Sequence, residues 1–236
     1  MTDDPYVYPG SSVLINKFNI RDQAVLDRVE RNFATKRAEM HAPAGDFDLA
    51  HLQAIHHHLF QDVYDWSGQI RTVDLAKGAS QFQPCRFIET GMANVHQRLV
   101  QSDFLRGLTA QDFASRAGEI MGDVNYVHPF REGNGRAQLI YLRQLSEQAG
   151  HPMDLTQLQG EHWIDVSIAA HRGYSQPMAH CIAAAITSRI DGPHDLPYGQ
   201  SERNPDWHAQ CRDMFRPERS LDSDHQAQEP SRRPSR

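Results

Sequence analysis

The amino-acid sequence predicts an all-α protein, a bundle of helices that carries one small β-hairpin. Apolar residues recur at helical spacing through most of the first 190 positions, as expected of helices that bury one face. A single segment alternates with a period of two, which favours a strand. The 236 residues suffice for one ordinary domain with a short extension. We therefore expect a domain at 1–190 and a flexible tail at 191–236, where apolar residues are sparse.

Four helices are predicted in the first half of the domain, at 22–40, 48–65, 88–105 and 109–126. Asp22 and Asp48 stand at their starts as N-cap residues, whose side chains accept from the first free N–H groups. Thr109 with Asp112 resembles a capping box in which Asp replaces the usual Glu. Three of the four predicted helices therefore begin at a capping residue.

The hairpin is predicted between the second and third helices. Residues 69–75 alternate with a bias to β-branched side chains, residues 77–80 supply a turn, and residues 81–84 return as a short strand. On pattern alone, a surface excursion is an equally weighted alternative.

A nine-residue loop follows the fourth helix, reading His-Pro-Phe-Arg-Glu-Gly-Asn-Gly-Arg from 128 to 136. Proline disfavours helix for the residue before it, so His128 ends the helix. Gly-Asn-Gly is a turn signal, and the next helix starts at Arg136 and stops before Gly150. Further helices at 161–171 and 177–190 complete the bundle.

The side chains of this loop suit a phosphate-bearing ligand. A helix start offers free N–H groups and the positive end of the helix dipole, and glycines let the backbone approach an anion closely. Arg136 can make a two-pronged contact with phosphate oxygens, and Glu132 is a hard oxygen ligand for Mg²⁺. His128 can take a proton near neutral pH. The loop therefore predicts a nucleotide site with a general base beside it, although the chain has neither a P-loop nor a dinucleotide fingerprint.

Composition limits the partners and the compartment. A net charge of −6 and a pI near 6.1 argue against direct binding of nucleic acid or of an acidic membrane surface. No apolar stretch approaches a membrane span, and the N-terminus lacks the features of a secretory signal. The three cysteines are scattered and lack paired spacing. We expect a cytoplasmic protein. Delivery into another cell by a specialised secretion system is also compatible with this sequence.

The loop resembles the signature of Fic-domain proteins, His-x-Phe-x-Asp/Glu-Gly-Asn-Gly-Arg-x-x-Arg. The chain matches each specified position except the last, where Leu139 replaces the second arginine. Segments 4–10, 65–71 and 72–78 are also similar to the bacterial toxin and effector branch of the Fic/Doc family. The resemblance implies a Fic-type helical bundle with the hairpin as a flap over the active site.

The same resemblance implies a protein adenylyltransferase, which transfers AMP from ATP to a Tyr, Ser or Thr hydroxyl of a target protein and releases pyrophosphate. ATP would be the co-substrate and Mg²⁺ the cofactor. His128 would be the catalytic base, Phe130 the structural anchor of the loop, and Glu132 the metal ligand. Nucleotide contacts are implied for Gly133, Asn134, Gly135, Arg136, Lys77 and Gly78, and target docking for Ile70, Arg71, Thr72 and Val73.

Regulation and partners are left open by the sequence. In related bacterial toxins the target is a type II topoisomerase, and a small antitoxin can carry an inhibitory helix with Ser or Thr, three spacers, Glu, then Gly or Asn. That pattern is absent from this chain. Leu139 keeps two alternatives to adenylyl transfer open: a Fic-fold transferase that uses another nucleotide or a phosphocholine donor, or a catalytically weak interaction module.

Four histidines, at 51, 56, 57 and 58, invite a metal hypothesis. Adjacent histidines on a helix point in different directions, and no His pair with a neighbouring Glu base is present. We predict a solvated or partly packed helix face instead of a metal site.

Overall fold

In the computed structural model, residues 4–78, 80–158 and 160–187 are described. The tail predicted for 191–236 lies outside these residues. The fold is the predicted helical bundle, with one two-stranded antiparallel sheet. Within the described part of the chain, no helix has both the length and the apolar character needed to cross a membrane.

Seven α-helices make up the described bundle. They are α1 (Gln23–Ala38), α2 (Leu49–Phe60), α3 (Ile88–Gln101), α4 (Ala110–Val127), α5 (Asn134–Gln148), α6 (Gly160–His171) and α7 (Gln176–Ala185). The two strands are β1 (Ala76–Lys77) and β2 (Ser80–Gln81), which lie between α2 and α3.

Side-chain caps start the helices where the sequence predicts them. Asp22, Asp48 and Thr109 each accept a hydrogen bond from the main-chain N–H three residues further on, at 2.9, 2.8 and 3.2 Å. The predicted end of the second helix at residue 65 is wrong, because α2 ends at Phe60 and the chain continues in tight turns. Val63 and Tyr64 in these turns are buried, so their apolar character extends the helical pattern beyond the helix.

Helix α4 lies at the centre of the bundle and packs against α3, α5, α6 and α7. Its closest approach is to α7 at Gly118, where an added Cβ would lie 2.9 Å from the main-chain nitrogen of Ala179. Phe113, Met121 and Val124 of α4 are buried in the surrounding core. This central position fixes the C-terminal end of α4, from which the nine-residue loop departs.

The hairpin exists, but its first strand is not at 69–75 as predicted. The strands are only two residues long, and the pairing is Ala76 with Gln81 and Lys77 with Ser80. Residues 70–73 have no strand partner. Buried and exposed side chains nevertheless alternate there, because Arg71 points inward and its N–H bonds the carbonyl of Pro129 at 2.8 Å. A strand would produce the same alternation.

We expect Gly118→Ala to destabilise the protein. The new methyl would contact the backbone of Ala179, which cannot move aside as a side-chain end could, and overpacking of this kind costs about 1–3 kcal/mol. The gain in helix propensity, about 1 kcal/mol, offsets only part of that cost. The free energy of unfolding from urea titration should therefore fall.

Gly122→Ala is the matched control on the same helix. Its added Cβ would lie 3.4 Å from the Cβ of Ala170, an ordinary contact, so propensity should dominate and stability should stay equal or rise. Equal effects of the two substitutions would contradict the close packing of α4 on α7.

Candidate active site

The chain leaves α4 through a left-handed residue. His128 has φ 47° and ψ 63°, and its N–H still bonds the carbonyl of Val124 at 3.1 Å. Such dihedrals are uncommon for a residue with a side chain and are held only where surrounding contacts enforce them. Pro129 follows and disfavours any helical continuation. The imidazole is thereby turned out of the helix at a fixed point.

One tautomer of His128 is selected by its hydrogen bond. Nδ1 lies 3.2 Å from the carbonyl oxygen of Asn125, which can only accept, so Nδ1 carries the proton and Nε2 presents a lone pair. Burial lowers the pKa of His128 to about 3, and the positive charges of Arg71 and Lys77 act in the same direction. The imidazole is therefore neutral near pH 7 and able to accept a proton at Nε2.

The hairpin covers this imidazole. The ring of Phe82, which follows β2, stacks on His128 with centroids 3.7 Å apart and planes 13° apart. The main chain continues this attachment, since Gln83 donates to the carbonyl of Tyr126 at 3.0 Å. The hairpin therefore lies over the predicted base, and it limits the directions from which a substrate can reach Nε2.

Gly133 forms the turn that opens α5. It is the N-cap residue with φ +80°, and no side chain caps the helix. A Cβ at Gly133 would lie 2.4 Å from the ring of Phe60, so only glycine fits both the dihedral and the space. A Cβ at Gly135 would meet no protein atom within 4 Å. The first turn of α5 therefore presents main-chain N–H groups on an accessible side, an arrangement suited to anions.

Asn134 uses its side chain to hold the loop. Its Nδ2 donates to the carbonyl of Phe130 at 2.7 Å, and its Oδ1 accepts from the N–H of the same residue at 2.9 Å. Phe130 is fully buried and stacks on His56 with centroids 3.9 Å apart. The side chain of Asn134 is thus committed to the protein, which leaves its main chain for any contact with a nucleotide.

Two charged residues of the loop lie side by side. The Nη2 atom of Arg136 is 3.7 Å from Oε1 of Glu132 and 2.6 Å from Oε1 of Glu30. The Glu132 side chain is 50% exposed, and its Oε1 accepts from the N–H of Gly133 at 2.9 Å. Among the described residues, no group of three or more His, Cys, Asp or Glu could hold a metal ion. A single accessible carboxylate fits Mg²⁺ that takes its other ligands from phosphates and water.

Arg71 lies in the protein interior, and its placement corrects the prediction that it docks a target. Only 1% of the residue is exposed, and its burial lowers the pKa of the guanidinium. Its side chain donates to four main-chain carbonyls, those of Val73, Gln83, Val127 and His128, at 2.5–3.2 Å. Arg71 therefore ties both ends of the hairpin to the end of α4.

The remaining residues predicted around the hairpin face outward to different degrees. Thr72, Lys77 and Gly78 are exposed, whereas Ile70 and Val73 are partly buried. Gly78 has φ +58°, as the turn between the strands requires. Lys77 and Gly78 thus lie at the tip of the hairpin, and Lys77 is close enough for its charge to affect His128.

His56 is a site residue that the sequence interpretation missed, because the helix face was predicted to be solvated or partly packed. His56 is fully buried and His51 is 3% exposed. The N–H of Gly68 donates to Nδ1 of His56 at 2.9 Å, so Nε2 carries the proton and donates to the carbonyl of Glu132 at 2.9 Å. His56 therefore supports the turn that opens α5 from the side of α2.

Comparison with known proteins agrees with this geometry. A sequence profile described as the Fic/DOC family matches residues 46–146. The chain is 39% identical over 178 residues to a probable protein adenylyltransferase, y4lH of Sinorhizobium fredii, which covers 75% of this chain and 93% of that protein. The chain belongs to the Fic/DOC family.

A longer Fic relative is protein adenylyltransferase VbhT of Bartonella schoenbuchensis, 38% identical over 206 residues. The match covers 86% of this chain but 43% of VbhT, so the chain spans less than half of that relative.

Two solved Fic structures from Bartonella share the fold. The BepC effector of Bartonella tribocorum with bound AMPPNP gives a TM-score of 0.73 at 27% identity, covering 78% of this chain and 97% of the chain in that structure. The N-terminal Fic domain of a Bartonella quintana effector with bound ADP gives 0.74 at 26% identity, covering 78% and 95%.

Glu30 is the second site residue that the sequence interpretation missed. It lies on α1, before the segment that matches the Fic profile. Its carboxylate is buried against Arg136 of the Fic signature. The only sequence signal was an acidic residue on a helix, which by itself predicts a solvated position.

We expect His56→Phe to destabilise the Fic domain and to change how its stability depends on pH. Phenylalanine can keep the stacking on Phe130, but it leaves the N–H of Gly68 and the carbonyl of Glu132 without their partner, at a cost of about 1–3 kcal/mol each. Burial lowers the pKa of His56 to about 3 from an ordinary 6.5. The unfolded chain therefore binds a proton that the folded protein excludes.

Wild-type stability should consequently fall as the pH drops from 6.5 towards 3, since the unfolded state takes up more protons in that window. The loss should be shallower in His56→Phe when unfolding free energies are measured at pH 7, 6 and 5. The exposed neighbour His57, changed to Phe, is the control. A pH slope identical in wild type and His56→Phe would contradict the buried neutral imidazole.

Proposed function

We propose that the protein is an adenylyltransferase that moves AMP from ATP onto a hydroxyl group of a target protein. The observation that carries the proposal is the neutral imidazole of His128, whose Nδ1–H is held by the carbonyl of Asn125. It lies in the loop that leads directly to the uncapped start of α5. A proton acceptor and an anion-binding turn on one short loop suit nucleophilic attack on a phosphate.

The bond changes follow from this arrangement. The oxygen of the target hydroxyl attacks the α-phosphorus of ATP, and Nε2 of His128 takes the hydroxyl proton. The bond from the α-phosphorus to the bridging oxygen breaks, and pyrophosphate leaves with the electron pair. A positioned base of this kind contributes about 10²–10⁴-fold to the rate, and charge stabilisation at the phosphates supplies a further part.

The anion-binding turn would hold the phosphates. Main-chain N–H groups at Gly133, Asn134 and Gly135 and the guanidinium of Arg136 supply donors and positive charge. Mg²⁺ on Glu132 would neutralise phosphate charge when bound.

ATP is supported as co-substrate by the two Bartonella structures, which were solved with AMPPNP and with ADP. The names of the curated relatives support the reaction itself. We place Lys77 and Gly78 at the border of the nucleotide, because both lie at the hairpin tip over the base.

The target is a protein with an accessible Tyr, Ser or Thr hydroxyl, and the exposed part of the hairpin is the surface on which it would dock. A type II topoisomerase is one target consistent with a toxin. The inhibitory pattern is absent from this sequence, which leaves two proposals: a separate small antitoxin supplies the inhibitory helix, or the enzyme is not inhibited in that way. We propose that the protein acts in the cytoplasm, either of the cell that produces it or of a recipient cell. This action requires no direct contact with nucleic acid or membrane.

A second function is favoured by Leu139. This residue is 6% exposed on α5 and replaces the second arginine of the Fic signature, so one phosphate contact is missing. Arg143, one turn further along, lies with its Nε 3.6 Å from Oε1 of Glu147. The same fold could then accept a different nucleotide or a phosphocholine donor.

We expect His128→Ala to lose at least about a hundredfold in AMP transfer, the lower end of general-base contributions. ATP affinity should change little, because the alanine leaves the start of α5 intact. Transfer of α-labelled ATP into lysate protein and calorimetric ATP binding measure the two effects. The exposed His180 on α7, changed to Ala, is the control for histidine loss. Near wild-type transfer by His128→Ala would refute the assignment of the base.

A panel of α-labelled nucleotides and labelled phosphocholine donors, each with Mg²⁺ and cell lysate, tests the proposed reaction. Labelled protein with ATP supports adenylyl transfer. Labelling only with another donor supports the second function. No labelling with any donor would leave an interaction module without catalytic activity.

A further inference from the structure

Glu30 carries a buried negative charge at the active site from outside the Fic profile match. It lies on the inner face of α1 and is 8% exposed. A buried carboxylate is costly unless it is paired and hydrogen-bonded, so its two oxygens need partners.

Both oxygens of Glu30 have partners. Oε1 lies 2.6 Å from Nη2 of Arg136, and Oε2 accepts a hydrogen bond from the hydroxyl of Tyr64. Burial and the adjacent Glu30 charge raise the pKa of that hydroxyl, so Tyr64 stays protonated and donates. Glu30 is thus fixed between a neutral donor and a cation.

Arg136 is held on a second side by an aromatic ring. Its guanidinium carbon lies 4.6 Å from the centroid of Phe60, a cation–π distance. Phe60 is fully buried and Tyr64 is 1% exposed; Phe60 is the last residue of α2, and Tyr64 lies in the turns that follow it. Neither can move without disturbing the core, so the contacts that orient Arg136 belong to the rigid part of the fold.

We propose that Glu30 is a positioning residue that holds the Arg136 guanidinium in place for nucleotide phosphates, with Tyr64 holding Glu30 in turn. The inference rests on the proposed function, because it assumes that Arg136 contacts phosphate. Leu139 replaces the second signature arginine, so Arg136 is the remaining arginine of the signature. Its placement should therefore affect phosphate binding more than in a chain that has both arginines.

Glu30 could instead compete with the nucleotide phosphates for Arg136, which would have the opposite effect on binding. A carboxylate on Arg136 can also exclude a phosphate, in which case removing its charge would tighten nucleotide binding. The two effects differ in sign. Fixation of Glu30 by Tyr64 and of Arg136 by Phe60 favours positioning, because a competing carboxylate would have to move away when the nucleotide binds.

The test is Glu30→Gln in the full chain, with calorimetric binding of MgATP and of adenosine. We expect MgATP affinity to fall about tenfold, the effect of losing a hydrogen bond to a charged group, while adenosine affinity stays unchanged. A general structural defect would weaken both ligands alike. Unchanged or tighter MgATP binding would overturn the proposal.

Two further variants keep the proposal testable if Glu30→Gln does not fold. Tyr64→Phe removes only the donor to Oε2 and should weaken MgATP binding in the same direction by a smaller factor. Glu30→Asp keeps the charge but withdraws it by one methylene, and should also weaken it. Wild-type MgATP affinity in both variants would overturn the proposal.

Asp62→Asn is the matched control. Asp62 follows α2 and accepts from Nε and Nη2 of Arg37 on α1, at 2.6 and 2.8 Å. This pair joins the same two elements of the fold without touching Arg136. Asp62→Asn should therefore change the thermal midpoint at most, and leave MgATP affinity at the wild-type value.

The binding assay also separates failure of this inference from failure of the proposed function. A wild-type protein that binds MgATP while Glu30→Gln binds it equally well refutes only the role of Glu30. A wild-type protein that neither binds MgATP nor transfers AMP refutes the function on which the inference rests.

Discussion

The close approach of Gly133 to α2 is the constraint on which the site depends. The ring of Phe60 occupies the space where any other residue would place a Cβ, and His56 on the same helix bonds the carbonyl of the preceding residue, Glu132. The turn at the start of α5 therefore packs directly against α2 and is hydrogen-bonded to it. Residues that form the core on one side form the floor of the site on the other, so the geometry of the turn inherits the rigidity of the bundle.

Burial determines the chemistry of the two loop-facing histidines in the same way. Each makes a hydrogen bond that fixes its tautomer, His128 to a carbonyl and His56 to an N–H and a carbonyl, and desolvation keeps each neutral. Arg136, whose charge acts on His56, is paired with Glu30, whereas Arg71, whose charge acts on His128, is bonded to main-chain carbonyls. Each imidazole can thus lie close to a guanidinium group and remain neutral.

Much of the fold could be predicted from the sequence because its signals are local. The caps Asp22 and Asp48, the helix order and the exit at His128 all depend on neighbouring residues. The first strand was misplaced because the partners of Arg71 are main-chain carbonyls, which no side-chain pattern reveals. Glu30 was missed because its place in the site depends on an ion pair with Arg136, far along the chain. A single sequence carries no trace of that pairing.

The hairpin is attached at the residues just before β1 and just after β2. This attachment affects which parts of the hairpin can change in sequence among related proteins. Arg71 fastens both legs to the same stretch of backbone that carries the base, whereas β1 and the turn after it extend into solvent. Insertions or exchanges at that outer end would leave the backbone of His128 in place, and only the loss of Lys77 would change the charge near its imidazole. The outline of the hairpin tip can therefore vary between related chains while the position of this imidazole is inherited.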